Sequence, residues 1–230
     1  MYKRRNFLHD LSLGTAGLSL FSSCKPISAN EEKIAPVILS TWNNNEANTI
    51  AINHLEAHNT ELLTAIEKGV NSVESNPDDT SVGYGGMPDR TGQVTLDACI
   101  MDHEGNAGSV TYLKNIMHPV SVARKVMETT PHVILSGEGA MNFALENGFE
   151  KKDLLTEKSI EAFDRWKLKS EYKPKVNVEL HNTIGMIGID NGFNLSGACS
   201  TSGLAFKMPG RVGDSPIIGS GLFVDNEIGC

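Results

Sequence analysis

From about residue 36 onward, apolar residues fall into short runs and periodic stripes that predict strands and helices in mixed order. Pro36 to Trp42 is an apolar run of strand length. Leu62, Leu63, Ile66, Val70 and Val73 recur with helical spacing, predicting a helix from about Thr60, whose hydroxyl can cap it, to the Asn76-Pro77 break. Gln93 to Met101 and Gly108 to Leu113 predict two strands joined by a turn at Gly105-Asn106. A helix over Ser121 to Thr129, a strand over Val133 to Ser136 and a helix over Glu138 to Asn147 follow, the last stopped by Gly148. From about Phe149 to Pro174 the chain is charged and helix-prone, which predicts a solvated helix and linker. Strands return at Val176 to Glu179, Thr183 to Asp190 and Leu195 to Thr201, with Asp190-Asn191-Gly192 turning between the last two. Hairpins interspersed with helices, and no internal repeat, point to an α+β fold with helix layers on largely antiparallel sheets.

Composition adds bounds. The 230 residues suit one or two domains, and 40% hydrophobic with 21% charged residues is ordinary for a globular chain. A net charge of −8, without a basic cluster outside the N-terminus, argues against a nucleic-acid partner. Cys24, Cys99, Cys199 and Cys230 have neither CxxC nor zinc spacing; Cys99 and Cys199 sit in apolar runs and read as small buried hydrophobes. Ser81-Val82-Gly83-Tyr84-Gly85-Gly86 is glycine-rich but lacks a Walker lysine and a GxGxxG spacing, so it is not a phosphate loop.

The N-terminus reads as an address. Lys3-Arg4-Arg5-Asn6-Phe7-Leu8 resembles a bacterial twin-arginine signal, and the uncharged run from Leu11 to Ser23 is too short to span a bilayer. Leu20-Phe21-Ser22-Ser23-Cys24 is a loose lipobox that would acylate Cys24. Residues 1–33 are therefore expected to be a leader, and the protein to be periplasmic or a membrane-anchored lipoprotein in a bacterium.

The chemistry concentrates in His181-Asn182-Thr183-Ile184-Gly185-Met186, followed by Thr201-Ser202-Gly203 and Gly210-Arg211-Val212-Gly213-Asp214-Ser215-Pro216. With Ser40-Thr41-Trp42-Asn43 and the Ser81 to Gly86 loop, this ordered set resembles the glycosylasparaginases, amidases of the N-terminal nucleophile class. The resemblance implies an αββα four-layer sandwich forming one structural domain, cut by the chain itself between Asn182 and Thr183. Residues 34–182 would be the α-subunit part and 183–230 the N-terminal part of the β-subunit. A freed Thr183 would supply both a hydroxyl nucleophile and, through its α-amine titrating at about 7.7–8.0, the base. Thr201 would contact the nucleophile. Arg211 would pair the substrate α-carboxylate as a two-pronged donor, Asp214 would receive the α-ammonium, and Val212 and Gly213 lie between them. Trp42 and Ser81 would line the pocket. The implied substrate is GlcNAc-asparagine with free amino acid ends, giving L-aspartate and a glycosylamine, with no metal or organic cofactor and with αβ pairs assembling as a dimer.

Two departures bear on these expectations. The family carries His-Asp-Thr where this chain has His181-Asn182-Thr183, and an amide cannot accept the proton that a carboxylate would, so slower self-cleavage is expected. The stretch from Thr183 to Cys230 is also shorter than the family's β-subunits, so the fold is expected to be incomplete at the C-terminus. Two alternatives stand beside the main reading: a plant-type asparaginase or isoaspartyl peptidase, which shares the threonine, and an uncleaved, silent precursor that only binds ligand.

Overall fold

A computed structural model describes residues 36–57, 60–169 and 183–230. The leader, Cys24, the expected strand at Val176 to Glu179, His181 and Asn182 lie outside the described residues. The elements run β1 (Val37–Ser40), α1 (Asn45–Ala57), α2 (Leu62–Glu74), β2 (Leu96–Asp102), β3 (Ala107–Leu113), α3 (Pro119–Thr129), β4 (Ile134–Ser136), α4 (Gly137–Glu146), α5 (Glu157–Lys169), β5 (Ile184–Ile189) and β6 (Leu195–Thr201).

The six strands form one sheet in the order β1-β5-β6-β2-β3-β4. All its pairings are antiparallel except β3 with β4. The β2–β3 turn is tied by Asp102, whose Oδ1 accepts the Glu104 and Asn106 N–H groups at 2.9 and 3.0 Å. Asp190 repeats the device between β5 and β6, accepting from Gly192 and Asn194 at 2.7 and 2.9 Å.

Strand alternation sorts the two faces of the sheet. Ile184 and Met186 of β5, Ala198 of β6, Ala98 and Ile100 of β2 and Val110 of β3 join the core beneath α2, α3 and the apolar stripe Leu62, Leu63, Ile66, Val70. Cys99, Met101 and Cys199 point the other way, under Leu222 and Val224 of the last segment. Both thiols are buried, as small hydrophobes would be. Burial pushes the Cys199 thiol up to about 12 and the Cys99 thiol up as well. Two of the four layers implied by the resemblance, one helix layer and one sheet, are thus present among the described residues.

Two glycines set the distance between helix and sheet. A Cβ at Gly108 of β3 would lie 2.0 Å from the Ala123 carbonyl oxygen of α3, and one at Gly69 of α2 would lie 2.8 Å from Met186 Sδ. The helix backbones therefore pack directly on the strands.

The pattern-based expectations need three corrections. Thr60 does not cap α2: Glu61 holds the N-cap position, and the Thr60 hydroxyl donates to the His54 carbonyl at 2.8 Å. Helix α1 was not foreseen, because it buries Ala47 and Ala51, residues too small to mark an apolar stripe. Helix α5 is more than a solvated tether. Phe163 and Trp166, three residues apart on one face, stack on each other, and Trp166 stacks on Phe206 with centroids 4.8 Å apart. Its start is capped reciprocally: Thr156 N–H donates to Ser159 Oγ at 2.9 Å, and Ser159 N–H to Thr156 Oγ1 at 3.3 Å.

The close approach of α3 to β3 predicts that Gly108→Ala destabilises the fold by about 3 kcal/mol, since the new methyl meets backbone that cannot give way. Urea unfolding curves of the two proteins check this. An unshifted midpoint would show that the contact is looser than described.

Candidate active site

The site forms where β1, β5 and β6 end together. Ile184 of β5 pairs with Ser200 of β6, which brings Thr183, just before β5, beside Thr201 at the end of β6. The Thr183 hydroxyl donates to Thr201 Oγ1 at 3.2 Å, and Thr201 Oγ1 accepts the Gly203 N–H at 2.9 Å. Thr201 is buried while Thr183 reaches the surface of the cleft.

Thr41 clamps the backbone of Thr183. Its hydroxyl donates to the Thr183 carbonyl at 2.7 Å and accepts the Gly185 N–H at 3.0 Å. Both contacts lie on the C-terminal side of the Thr183 nitrogen, so they hold the residue whether or not a bond precedes it.

Thr183 opens into a cleft of about 160 Å³ that Trp42, Asp79, Ser81 and Val82 also line. Trp42 has φ +59° and a largely exposed side chain. A left-handed backbone at a bulky residue stores strain of about 1–3 kcal/mol, a feature concentrated at ligand sites. Ser81 is fixed by Asp79, whose Oδ1 accepts both the Ser81 N–H at 2.8 Å and its hydroxyl at 2.6 Å. Asp79 was missed in the sequence, where Asn76-Pro77-Asp78-Asp79 reads only as a turn.

Arg211 lies next to the turn that follows Thr201. Cβ atoms built on Gly203 and Gly213 would each lie 3.0 Å from Arg211 Nη1, so the guanidinium sits between two glycines. Val212 and Asp214 are exposed beside it. The structure therefore joins Thr183, Trp42 and Ser81 at one cleft, places Thr201 in contact with Thr183, and sets Arg211 beside the Gly203 turn that follows Thr201.

Three buried titratable groups support this arrangement; only Asp97 falls in a motif that the sequence brings forward, Thr95-Leu96-Asp97-Ala98. Asp97 is wholly buried, and its Oδ1 accepts the Tyr112 N–H at 2.8 Å. Burial raises its pKa, while Lys207, the Tyr112 N–H and Arg211 pull it back. Lys207 is also buried and donates to the carbonyls of Ser202 and Thr95 at 2.9 and 3.2 Å. Burial lowers its pKa, Asp97 opposes that, and Arg211 adds to it. Lys207 thus ties the turn that carries Gly203 against Arg211 to Thr95, just before β2.

Glu74, at the end of α2, is the third. Its Oε1 accepts the Ser200 hydroxyl at 2.7 Å and the Val120 N–H at the start of α3 at 3.1 Å, and its Oε2 lies 3.3 Å from His118 Nδ1. One carboxylate therefore joins two helices to the strand that ends in Thr201. Burial raises its pKa from 4.5, against the lowering effects of His118, Ser200 and Val120.

A mixed sheet on a helix layer, with the Thr183 hydroxyl at a cleft just before the inner strand β5, defines an α+β sandwich whose cleft lies at the strand ends. The chain belongs to the asparaginase family, whose profile it matches over residues 28–230. It is 51% identical to the N(4)-(beta-N-acetylglucosaminyl)-L-asparaginase of Elizabethkingia miricola, over 99% of this chain and 68% of that protein. It is 36% identical to the rat (Rattus norvegicus) protein of the same name, over 85% of this chain and 65% of that protein. The chain thus spans about two thirds of the length of these curated relatives.

The Glu74 network gives a pH prediction. A carboxyl whose folded pKa is raised contributes stability that is full below its unfolded value of 4.5 and is lost as pH rises through the folded value. Glu74→Gln removes that ionisation, so the variant should gain on the parent as pH rises from about 4 to 8. Melting temperatures of both across that range are the check, and a constant difference would contradict the assignment.

Proposed function

We propose that this chain is a self-processing amidase that hydrolyses the side-chain amide of GlcNAc-asparagine, with both amino acid ends free, to L-aspartate and a glycosylamine. The observation that carries the reading is the Thr183–Thr201 hydroxyl contact at the mouth of the Trp42 cleft, with a glycine-seated arginine beyond it. The names of the Elizabethkingia and rat relatives support the substrate.

In this reading the bond between Asn182 and Thr183 is cut first. The new α-amine of Thr183 takes the proton from its own hydroxyl, and Oγ1 attacks the side-chain amide carbon of the substrate. The C–N bond breaks, the nitrogen takes the proton, and the glycosylamine leaves a β-aspartyl ester on Thr183. Water then cleaves that ester, returning the hydroxyl and releasing L-aspartate. Thr201 holds Oγ1 in line, Arg211 takes the α-carboxylate and Asp214 the α-ammonium. The Thr41 clamp suits this sequence, since it survives the cut. The arginine pair and apolar run before residue 24 support export, with Cys24 as the acylation point, and cut αβ pairs assembling as a dimer complete the proposal.

Intact mass spectra followed over days at neutral pH should show two fragments parted between Asn182 and Thr183. Asn182→Asp should part faster, and Thr183→Ala should neither part nor hydrolyse GlcNAc-asparagine, losing more than about 10³-fold in rate. A folded chain that stays whole would favour the silent-precursor reading. Faster turnover of free asparagine or of an isoaspartyl dipeptide than of GlcNAc-asparagine would favour the plant-type reading.

A further inference from the structure

Helix α5 rests on loops, and those loops carry residues of the candidate site. Four contacts follow one another along it. Just ahead of the helix, the carbonyl of the buried Leu154 accepts the Gly85 N–H at 2.9 Å, in the glycine-rich loop that begins at Ser81. In the first turn, Lys158 Nζ donates to the Asp78 carbonyl at 2.8 Å, next to Asp79, which fixes Ser81. Phe163 lies against the turn at Gly92, where a Cβ would stand 3.1 Å from its Cε1. Trp166, three residues on, stacks on Phe206. One short segment thus touches the loop whose Asp79 and Ser81 line the Thr183 cleft, and also the loop that leads from Thr201 to Arg211.

The second of these loops is closed on itself. Lys207 Nζ donates to the Ser202 carbonyl at 2.9 Å, the Lys207 N–H to the Leu204 carbonyl at 3.3 Å, and the Arg211 N–H to the Met208 carbonyl at 3.0 Å. Phe206 stands at its centre with φ +59°, a left-handed backbone that a bulky residue keeps only where its surroundings hold it. Two contacts do so. Its N–H donates to the Pro88 carbonyl at 2.8 Å, and its ring lies 18° from parallel with that of Trp166. A Cβ built on Gly203 would lie 2.9 Å from Lys207 Nζ and 3.0 Å from Arg211 Nη1. Movement at Phe206 therefore passes through its neighbour Lys207 to the glycine against which the guanidinium sits.

We propose that α5 is a strap across the candidate site, and that Trp166 is a positioning residue that sets Arg211 through Phe206. Helix α5 precedes the proposed cut after Asn182, and Arg211 follows it. In the cut protein the strap and the loop it holds belong to different polypeptides, so the α-part contributes directly to the order of the arginine seat. The proposal rests on the amidase reading for what Arg211 binds, whereas the strap itself does not depend on that reading.

The test uses the full chain with Trp166→Ala, Trp166→Phe, which keeps a ring to stack, and Leu168→Ala at an exposed position of the same helix. Should Trp166→Ala not fold, Trp166→Leu, which keeps apolar bulk without the stack, takes its place. Hydrogen exchange at the Gly203, Phe206, Lys207 and Arg211 amides should quicken about tenfold in the ring-less variant, with β5 and β6 amides at the parent's rates. Trp166→Phe and Leu168→Ala should match the parent. KM for GlcNAc-asparagine should rise about fivefold with kcat within about twofold, and Trp166→Phe should restore it. Loop amides that keep the parent's rates, or β5 and β6 amides that quicken equally, would overturn the strap. So would a loosened loop with KM unchanged, or with the loss in kcat instead. A loop that loosens as described in a protein that hydrolyses no GlcNAc-asparagine would uphold the strap and overturn the amidase reading.

Discussion

The register between β5 and β6 is the constraint on which the site depends. Ile184 faces Ser200, and because strand side chains alternate, that pairing puts Thr183 and Thr201 on the same side of the sheet. A slip of one residue would turn Thr183 away from Thr201 and would drive Ile184 and Met186 out of the core beneath α2. The register is held from several directions. Asp190 fixes the connecting turn, Gly69 lets α2 settle on Met186, and Gly197 of β6 leaves room for Leu222. Packing of the apolar face and placement of the Thr183 hydroxyl are therefore one structural decision.

Around that register the fold spends buried charge. Glu74, Asp97 and Lys207 are all withdrawn from water, and each meets a backbone group from a different part of the chain. Buried ionised groups seldom stabilise a fold as much as apolar side chains of similar volume would. What they supply here is fixed direction. Glu74 ties the end of α2 and the start of α3 to Ser200, one residue before Thr201. Lys207 holds the turn at Gly203, against which Arg211 lies. The strand end that carries Thr201 is thus fixed from beneath, while Trp42 at the cleft stays at the surface.

Much of this was legible in the chain because the signals are local. The hairpin at Gly105-Asn106, the helix stop at Gly148, the turn at Asp190 and the apolar stripe of α2 each depend on a few neighbouring residues. Thr183, Thr201, Trp42 and Ser81 were legible because an ordered set of motifs carried them together. Helix α1 was not, since Ala47 and Ala51 bury a face without a strong apolar stripe. The partner of Phe163 and Trp166 was not, because Phe206 lies far along the sequence. Thr60 could serve as a cap by its residue type, but a nearer acceptor, the His54 carbonyl, took its hydroxyl.

The sequence by itself determined the kinds of element, their turns, the asparaginase family and the residues whose chemistry suits an amidase. It did so because propensity, turn chemistry and motif spacing are properties of short segments. The tertiary structure alone decided that Thr41 grips Thr183, that Gly203 and Gly213 seat Arg211, and that Glu74 holds Ser200, one residue before Thr201. These are contacts between segments distant in the chain. Only the closing of the sheet, with its register fixed by the core, brings them to hydrogen-bonding distance.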